Sequence, residues 1–453
     1  MTDADRSGAQ YHLAGASESA ESAAEAVVDG YIADLAAFVE AAPSSYHAAA
    51  EVARRVENAG FTRLAETDAW PVTPGRYVVV RDGAVIAWVV PEGAGPTTPF
   101  HILGAHTDSP AFKLKPQPTV ESSGWLQAGV EVYGGPLLNS WLDRELELAG
   151  RLVTRDGREH LVRTGPLLRI PQLAVHLDRA VNTEGLTLDK QRHTQPVFGL
   201  VADAPLGGAD LLGLLAEVAG VRAADVLGYD VLTADTQPPA RFGQGRSLFA
   251  SRRLDNLSSV HAGVTALIAA AATVAGGAAI PVLAAFDHEE LGSESRSGAS
   301  GPFLSDVLIR ITEGLGATES ERLRAYAASW VVSADAGHSV HPNYSERHDP
   351  VNRPIAGGGP LLKINANQRY TTDAAGAALW ARLCETAGVP YQEFVSNNTV
   401  PCGSTIGPLT ATRLGIATVD VGIPLLSMHS ARELCHVNDP VALAGAVTAF
   451  FAA

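Results

Sequence analysis

The sequence contains little cysteine and lysine, and these shortages narrow the classes of protein to which it can belong. Its 453 residues include four lysines and three cysteines, Cys384, Cys402 and Cys435. The odd number and wide spacing of the cysteines fit neither a disulfide framework nor a zinc finger, so we expect a reducing, cytoplasmic location. Residues 1–20 lack the basic and apolar pattern of a signal peptide, and we expect them to form a flexible tail.

Positive charge is also scarce. Lysine and arginine total 33 against 49 acidic residues, which gives a formal net charge of −16. This balance argues against nucleic acid or an anionic membrane as the main partner, but it allows an acidic small substrate that is bound locally. The one long uncharged stretch, residues 264–286, is interrupted by Gly276-Gly277 and by Pro281. We therefore expect a buried helix, a turn and a buried strand there, and no membrane span.

The arrangement of apolar runs predicts two kinds of structure in the chain. Runs of strand length alternate with helical patterns over residues 21–110 and 246–453, which predicts an α/β domain with a mixed, mostly parallel sheet covered by helices on both faces. Over residues 111–245 the pattern changes to short β-like runs separated by proline-rich breaks. This change predicts a β-rich domain inserted into the α/β domain.

The stretch Ile280 to Ser293, IPVLAAFDHEELGS, is the centre of the functional interpretation. It begins as a buried strand and ends in the adjacent carboxylates Glu289 and Glu290, which are costly at such a position unless they are used. On an extended backbone, adjacent side chains point opposite ways, so one could bind a metal while the other handles a proton. Because an isolated acidic pair is more typical of a solvated loop, the interpretation depends on the rest of the chain.

Other imidazoles and carboxylates follow predicted strands or begin a predicted helix: His106, Asp108, Asp255, Asp335 and His429. Ligand sites in open α/β sheets lie at the carboxyl ends of the strands, so we expect these side chains to meet. Mixed histidine and carboxylate ligands suit zinc, manganese or cobalt better than calcium or magnesium. The set is large enough for two ions that share a carboxylate, with Asp108 orienting His106 and Glu289 acting as general base.

Seven motifs, in order, are similar to those of the M18 aspartyl aminopeptidases: HTDSP (106–110), SRRLDNL (251–257), DHEELGS (287–293), SADAGHSVHPNY (333–344), KINANQRY (363–370), CGSTIGP (402–408) and MHSARE (428–433). The resemblance extends from about residue 30 to the C-terminus. It implies a zinc-exopeptidase-like fold and two divalent ions per subunit, zinc first, with manganese or cobalt as alternatives.

The resemblance also implies a role for each candidate residue. It implies that Asp255 is shared by two metal ions. His106 and Asp335 would complete the ligands of one ion, and Glu290 and His429 those of the other. Glu289 would then be the general base that acts on a metal-bridging hydroxide, and Asp108 would orient His106. Family members are tetrahedral dodecamers, so the resemblance implies that the inserted domain at 111–245 serves oligomerisation. It further implies that His176 reaches the active site of a neighbouring subunit, although His176 alone would suggest only a surface histidine.

Substrate preference depends on Lys363, which lies in a predicted buried strand and requires an anionic partner. That partner could be an internal carboxylate or the substrate. The resemblance implies that Lys363 and Tyr370 receive the acidic side chain of the substrate. Our leading hypothesis is a dinuclear aminopeptidase that releases N-terminal Asp and Glu from peptides. The alternatives are a related dinuclear metallohydrolase of another amide, such as an N-acyl amino acid, and a catalytically silent assembly protein.

Overall fold

The computed structural model describes residues 18–71, 73–204, 210–273 and 278–453. The helices of this part of the chain are α1 Glu18–Ala41, α2 Ser45–Asn58, α3 Val181–Glu184, α4 Leu211–Val218, α5 Leu254–Thr273, α6 Phe303–Gly314, α7 Glu319–Ala328, α8 Ala374–Ala387, α9 Ile406–Leu414 and α10 Asn438–Ala452. Helix α1 begins inside the predicted tail, of which residues 1–17 lie outside the described residues. The turn predicted at Gly276-Gly277 also lies outside them.

The strands are β1 Thr62–Arg63, β2 Gly75–Arg81, β3 Ala84–Val90, β4 Phe100–His106, β5 Ala111–Ser122, β6 Trp125–Tyr133, β7 Leu146–Thr154, β8 Glu159–Arg163, β9 Val197–Leu200, β10 Val226–Asp235, β11 Ala240–Phe242, β12 Leu248–Ser251, β13 Ile280–Phe286, β14 Trp330–Ala334, β15 Gly337–His338, β16 Leu361–Ile364, β17 Gln392–Val395, β18 Ala417–Gly422, β19 Pro424–Leu425 and β20 Glu433–His436.

The largest sheet has nine strands in the order β1-β2-β3-β13-β4-β14-β18-β16-β17. Its four central strands, β13, β4, β14 and β18, run parallel to one another. Antiparallel pairings join β3 to β13 and β16 to β18. The predicted mixed, mostly parallel sheet is therefore confirmed.

Helices cover both faces of this sheet, as predicted. One hydrophobic core joins the sheet to α1, α2, α5, α8 and α10, and a second core joins it to α6, α7 and α9. Strand β13 serves both cores, because Leu283 and Ala285 contribute to the first while Val282 and Ala284 contribute to the second. A central strand buried on both faces reads as an uninterrupted apolar run, which explains the sequence IPVLAAF.

Local signals in the sequence set several helix ends. The side chain of Ser44 accepts a hydrogen bond from the backbone N–H of His47 at the start of α2. Thr318 and Glu321 form a capping box at the start of α7, and Gly388 ends α8 in a left-handed conformation with φ 65°. Helices α6 and α9 were not predicted, because glycine- and serine-rich stretches precede them and weaken the helical pattern.

A second, six-stranded sheet lies within residues 111–235, in the order β8-β7-β10-β5-β6-β9. It is antiparallel and has its own hydrophobic core, to which α4 contributes Leu211 and Leu215. Strand β11 instead pairs with β12, and β12 pairs with β20 near the C-terminus. The division into domains at 111 and 245 stays a prediction. Within the described ranges, no helix is long and apolar enough to cross a membrane.

Candidate active site

The candidate catalytic side chains meet at the carboxyl ends of the central parallel strands. His106 is the last residue of β4. The sequence predicts that this strand ends at Gly104, two residues earlier. Asp335 directly follows β14, and His429 lies beyond β18 and β19. The topology therefore collects residues that are far apart in sequence at one edge of the sheet, where parallel α/β folds bind ligands.

The Glu289–Glu290 pair differs from the prediction in its backbone. It lies in a short 3₁₀ turn, Glu289–Leu291, rather than on an extended chain. Asp108 stabilises this turn: its Oδ1 accepts the N–H of Glu289 at 3.0 Å, and its Oδ2 accepts the N–H of Glu290 at 3.1 Å. Successive side chains of a 3₁₀ turn are rotated by about 120°, so the two carboxylates do not point opposite ways as predicted. An oxygen of each lies within 4.8 Å of the other and of a nitrogen of His106.

Asp255 lies between the two histidines. Its Oδ1 is 3.3 Å from His106 Nε2, and its Oδ2 is 3.3 Å from His429 Nε2. Asp335 Oδ1 is 3.4 Å from His106 Nε2, and Glu290 Oε2 is 3.3 Å from His429 Nε2. Among the described residues, the possible ligands form three groups of three: His106, Asp255 and Asp335; Asp255, Glu290 and His429; and His106, Glu289 and Glu290. The first two groups share Asp255 and contain the ligands that the resemblance implies, whereas the third includes Glu289, the predicted base.

The separations within these groups suit metal coordination. Two ligands bonded tetrahedrally to zinc at about 2.0–2.1 Å lie about 3.3–3.4 Å from each other. In addition, Asp255 Oδ1 and Glu290 Oε1 are buried and have no hydrogen-bond partner among the described residues. Buried carboxylate oxygens without donors are costly, and cations bound beside them would remove that cost. The residues present therefore fit a divalent metal site.

The electrostatics of the metal-free cluster lead to the same interpretation. The pKa of Glu289 is raised to about 8, mainly by burial; His106 opposes this shift, and the negative charges of Asp335 and Asp108 contribute to it. Burial also raises the pKa of Glu290 well above its usual value, with the charge of Asp255 acting in the same direction. Each of these shifts reflects negative charge crowded into a low-dielectric site, which bound cations would neutralise.

Several residues that support the site were not singled out from the sequence. Glu433 is buried, and its carboxylate accepts the backbone N–H of Asp255 at 2.9 Å and that of His429 at 2.8 Å. Tyr133 donates its hydroxyl to Asp108 Oδ2 at 2.9 Å. Glu433 lies inside the MHSARE motif, but nothing in a single sequence distinguishes it from a surface acid, and Tyr133 carries no signal at all.

Lys363 contacts the backbone next to a candidate ligand. Its side chain is 1% exposed, and its ammonium donates to the carbonyl of Ala336, the residue after Asp335, at 2.8 Å. The ammonium is 5.3 Å from the ring centroid of Tyr370. In the part of the chain that is described, no carboxylate forms an ion pair with Lys363.

The two remaining substrate-binding candidates have different surroundings. Tyr370 lines a pocket of about 260 Å³ together with His338, Phe394 and Cys402. His176, by contrast, is exposed in the loop between β8 and α3 and does not join the groups described above. One chain therefore brings together every predicted metal ligand, the predicted base and Lys363, but not His176.

Comparison with known proteins agrees with this geometry. The family model described as aminopeptidase I zinc metalloprotease (M18) matches residues 38–451. The chain belongs to the M18 aminopeptidase family. It is 56% identical over 422 residues to the probable M18 family aminopeptidase 2 of Streptomyces avermitilis, covering 93% of this chain and 97% of the relative.

Solved structures of M18 proteins share the fold. The chain superposes on a chain of the cryo-EM structure of the Ape4 and Nbr1 complex with a TM-score of 0.90 and 36% identity, covering 94% of this chain and 86% of that one. For the S. cerevisiae mApe1 dodecamer the TM-score is 0.81 at 26% identity, with 95% and 97% covered. This M18 chain is thus an aminopeptidase of a zinc-dependent family, which favours the leading hypothesis over both alternatives.

Proposed function

We propose that this M18 aminopeptidase releases N-terminal Asp and Glu residues from peptides. The proposal depends on the buried ammonium of Lys363, because its hydrogen-bond partner among the described residues is a neutral carbonyl. An ammonium out of water is costly without a negative charge nearby, so the pocket favours an anionic substrate group. Lys113 shows the contrast, since it pairs with Asp230 at 2.8 Å and its charge is already compensated.

The position of Lys363 in the chain supports this assignment. Its ammonium donates to the carbonyl of Ala336, the residue that follows the proposed ligand Asp335. Lys363 is therefore adjacent to the proposed metal site. The aromatic ring of Tyr370 lies beside it and lines the adjacent pocket. A substrate whose amino end is held at the metals would thus extend an acidic side chain toward Lys363, while a neutral side chain would leave this charge uncompensated.

We further propose two divalent metal ions, zinc in the first instance. His106 and Asp335 would hold one ion, Glu290 and His429 the other, and Asp255 both. Bound ions of this kind polarise the scissile carbonyl and lower the pKa of a water molecule. Glu289 then removes a proton from the attacking water and delivers it to the leaving amine. Its side chain is 17% exposed and so is open to substrate, with its carboxylate 4.0 Å from His106 Nε2.

The surroundings of His176 support an assembly in which subunits complete one another's sites. Leu173, Val175 and Leu177, close to His176 in sequence, are exposed by 57%, 47% and 75%. Exposed apolar side chains clustered in one loop are typical of a protein interface. By similarity to the mApe1 dodecamer we propose a dodecamer, with the inserted residues 111–245 as the oligomerisation domain and His176 at a neighbouring active site. The free cysteines support a cytoplasmic location.

Hydrolysis of matched Asp and Leu p-nitroanilides tests the proposed function. Wild-type enzyme should favour the Asp substrate, lose activity on both after chelation, and regain it with zinc. Metal analysis should then find two ions per subunit, and native mass spectrometry twelve subunits. Preference for Leu would reject the acidic specificity, and faster hydrolysis of an N-acyl amino acid would favour the alternative metallohydrolase.

A further inference from the structure

The β-rich insertion contacts the catalytic centre directly through the segment that leaves strand β6. We propose that residues 133–137, here called the 133–137 segment, position the metal ligands, with Tyr133 fixing Asp108 and Gly135 orienting His429. The insertion would then be part of the catalytic apparatus of its own subunit as well as of the assembly. This inference rests on the proposed ligand assignment, and the test below separates the two.

Tyr133 completes the hydrogen bonding of Asp108. The Asp108 carboxylate is 3% exposed and accepts three hydrogen bonds, two from the backbone of Glu289 and Glu290 and one from the hydroxyl of Tyr133 at 2.9 Å. Nδ1 of His106 is 3.1 Å from the backbone carbonyl oxygen of Asp108 and 3.5 Å from its Oδ1. The position of Asp108 therefore affects the imidazole of one ligand set through its carbonyl, and the backbone of Glu290 and of the general base through its carboxylate. Tyr133 is its only donor from the insertion among the described residues.

The next residues of the segment contact the second ligand set. Gly134 has φ +69°, and a Cβ there would lie 3.1 Å from the Cβ of Glu290. The close approach of the segment to Glu290 therefore requires glycine, both for space and for backbone conformation.

His429 is held by the segment at two points. Its Nδ1 is 3.0 Å from the carbonyl oxygen of Gly135, and its own carbonyl accepts the N–H of Leu137 at 2.8 Å. Because a carbonyl can only accept, Nδ1 carries a proton, and the tautomer with the proton on Nδ1 alone would leave Nε2 free to bind a metal ion beside Asp255 and Glu290. Hydrogen bonds of this type fix the tautomer and the ring orientation of a metal-binding histidine.

Tyr133→Phe tests the first contact, because it removes one hydroxyl and keeps the ring. We expect about tenfold weaker zinc binding and about tenfold lower kcat, with KM for the Asp substrate within about twofold of wild type. Zinc affinity is measured by competition with a chromogenic chelator. The visible absorption spectrum of the cobalt-substituted protein reports ligand geometry independently of activity.

Leu137→Pro tests the second contact. Leu137 has φ −73°, which proline adopts without strain, and the substitution removes the N–H that donates to His429 together with a side chain that is 46% exposed. We expect weaker zinc binding and an altered cobalt spectrum here too. The matched control is Tyr229→Phe in the same inserted sheet, whose hydroxyl donates to the carbonyl of Lys115 at 2.6 Å, away from the metal ligands.

The outcomes distinguish the positioning role of the 133–137 segment from the assignment of the metal ligands. If Tyr133→Phe and Leu137→Pro bind zinc and turn over within twofold of the Tyr229→Phe control, the positioning role is wrong, whatever their thermal stability. If His106→Ala keeps its full zinc content and activity, the ligand assignment itself is wrong. Loss of zinc and activity in His106→Ala, together with weakened zinc and kcat in the two segment variants, supports both.

Discussion

Replacing Lys363 with methionine should reduce acidic selectivity and increase stability at the same time. Methionine is similar in length and apolar, so it fills the space of a side chain that is 1% exposed while removing its charge. A lysine that served only the fold would behave differently, because its loss would lower stability and leave selectivity unchanged. The two measurements together therefore separate a substrate-binding role from a structural one.

The magnitudes follow from burial. Opposite charges about 4 Å apart at an effective dielectric of about 20 interact by about 4 kcal/mol, or about 10³ in kcat/KM. Desolvation of the substrate carboxylate offsets part of this gain, so we expect kcat/KM for the Asp substrate to fall by about 10² to 10³. Since Lys363 donates, among the described residues, to the neutral carbonyl of Ala336 and to no carboxylate, removal of its charge should stabilise the substrate-free protein by about 1–4 kcal/mol.

The assay compares Lys363→Met with wild type on Asp and Leu p-nitroanilides and by thermal unfolding of the zinc-loaded protein. Lys113→Met is the matched control, because Lys113 already pairs with Asp230 and is about one-third exposed. The control should keep its selectivity and lose about 1 kcal/mol of stability or less. A Lys363→Met enzyme that still prefers Asp to Leu as wild type does, or that is less stable without a change in selectivity, refutes the reasoning.

Three further predictions concern other parts of the chain. Glu289→Gln should keep its metal content and lose about 10² to 10⁴ in kcat, since only the base is removed; unchanged turnover contradicts this assignment. His176→Ala and Glu289→Gln oligomers should each have low activity but regain part of it when dissociated and assembled together; a lack of recovery contradicts the neighbouring-site role. Asp34 accepts hydrogen bonds from His261 and Arg55, both at 2.7 Å, and these hold its pKa below the usual value. A depressed carboxyl pKa stabilises the fold above about pH 4, and this contribution disappears as the pH falls further. Wild type should therefore exceed Asp34→Asn in stability by about 1 kcal/mol near pH 7, after discount for the half-exposed carboxylate, and this difference should shrink progressively below about pH 4, as measured by urea unfolding.

The sequence was most informative where local chemistry decides structure. The sequence predicts a helix over Glu319–Ala328 and a strand over Trp330–Ala334, and α7 and β14 have these bounds, since a capping box and a short apolar run are readable within a few residues. The Glu289–Glu290 backbone was predicted wrongly. Its 3₁₀ turn is stabilised by the carboxylate of Asp108, which accepts the N–H of Glu289 from about 180 residues away in sequence. Long-range hydrogen bonds of this kind leave no periodic pattern in the chain.

The candidate site shows the same division between its ligands and their supports. Histidines and carboxylates at strand ends are recognisable by residue type, and the structure brings the predicted ligands close together, along with Glu289. Glu433 and Tyr133 were not recognised, because a buried acid that accepts two backbone N–H groups and a tyrosine that donates to Asp108 look like ordinary residues until the strands are assembled.

The sequence by itself determined the alternation of apolar runs, the residue types at the strand ends and the motifs of the M18 family. These features are set within short stretches of chain, where burial and metal chemistry restrict the choice of side chain. Only the tertiary structure decided that Asp255 lies between two histidines, that Lys363 has no carboxylate partner within the described ranges, and that the 133–137 segment reaches Asp108 and His429. The distances and the burial that define these features depend on contacts between residues 25 to 294 positions apart in sequence, so they arise only when the chain is folded.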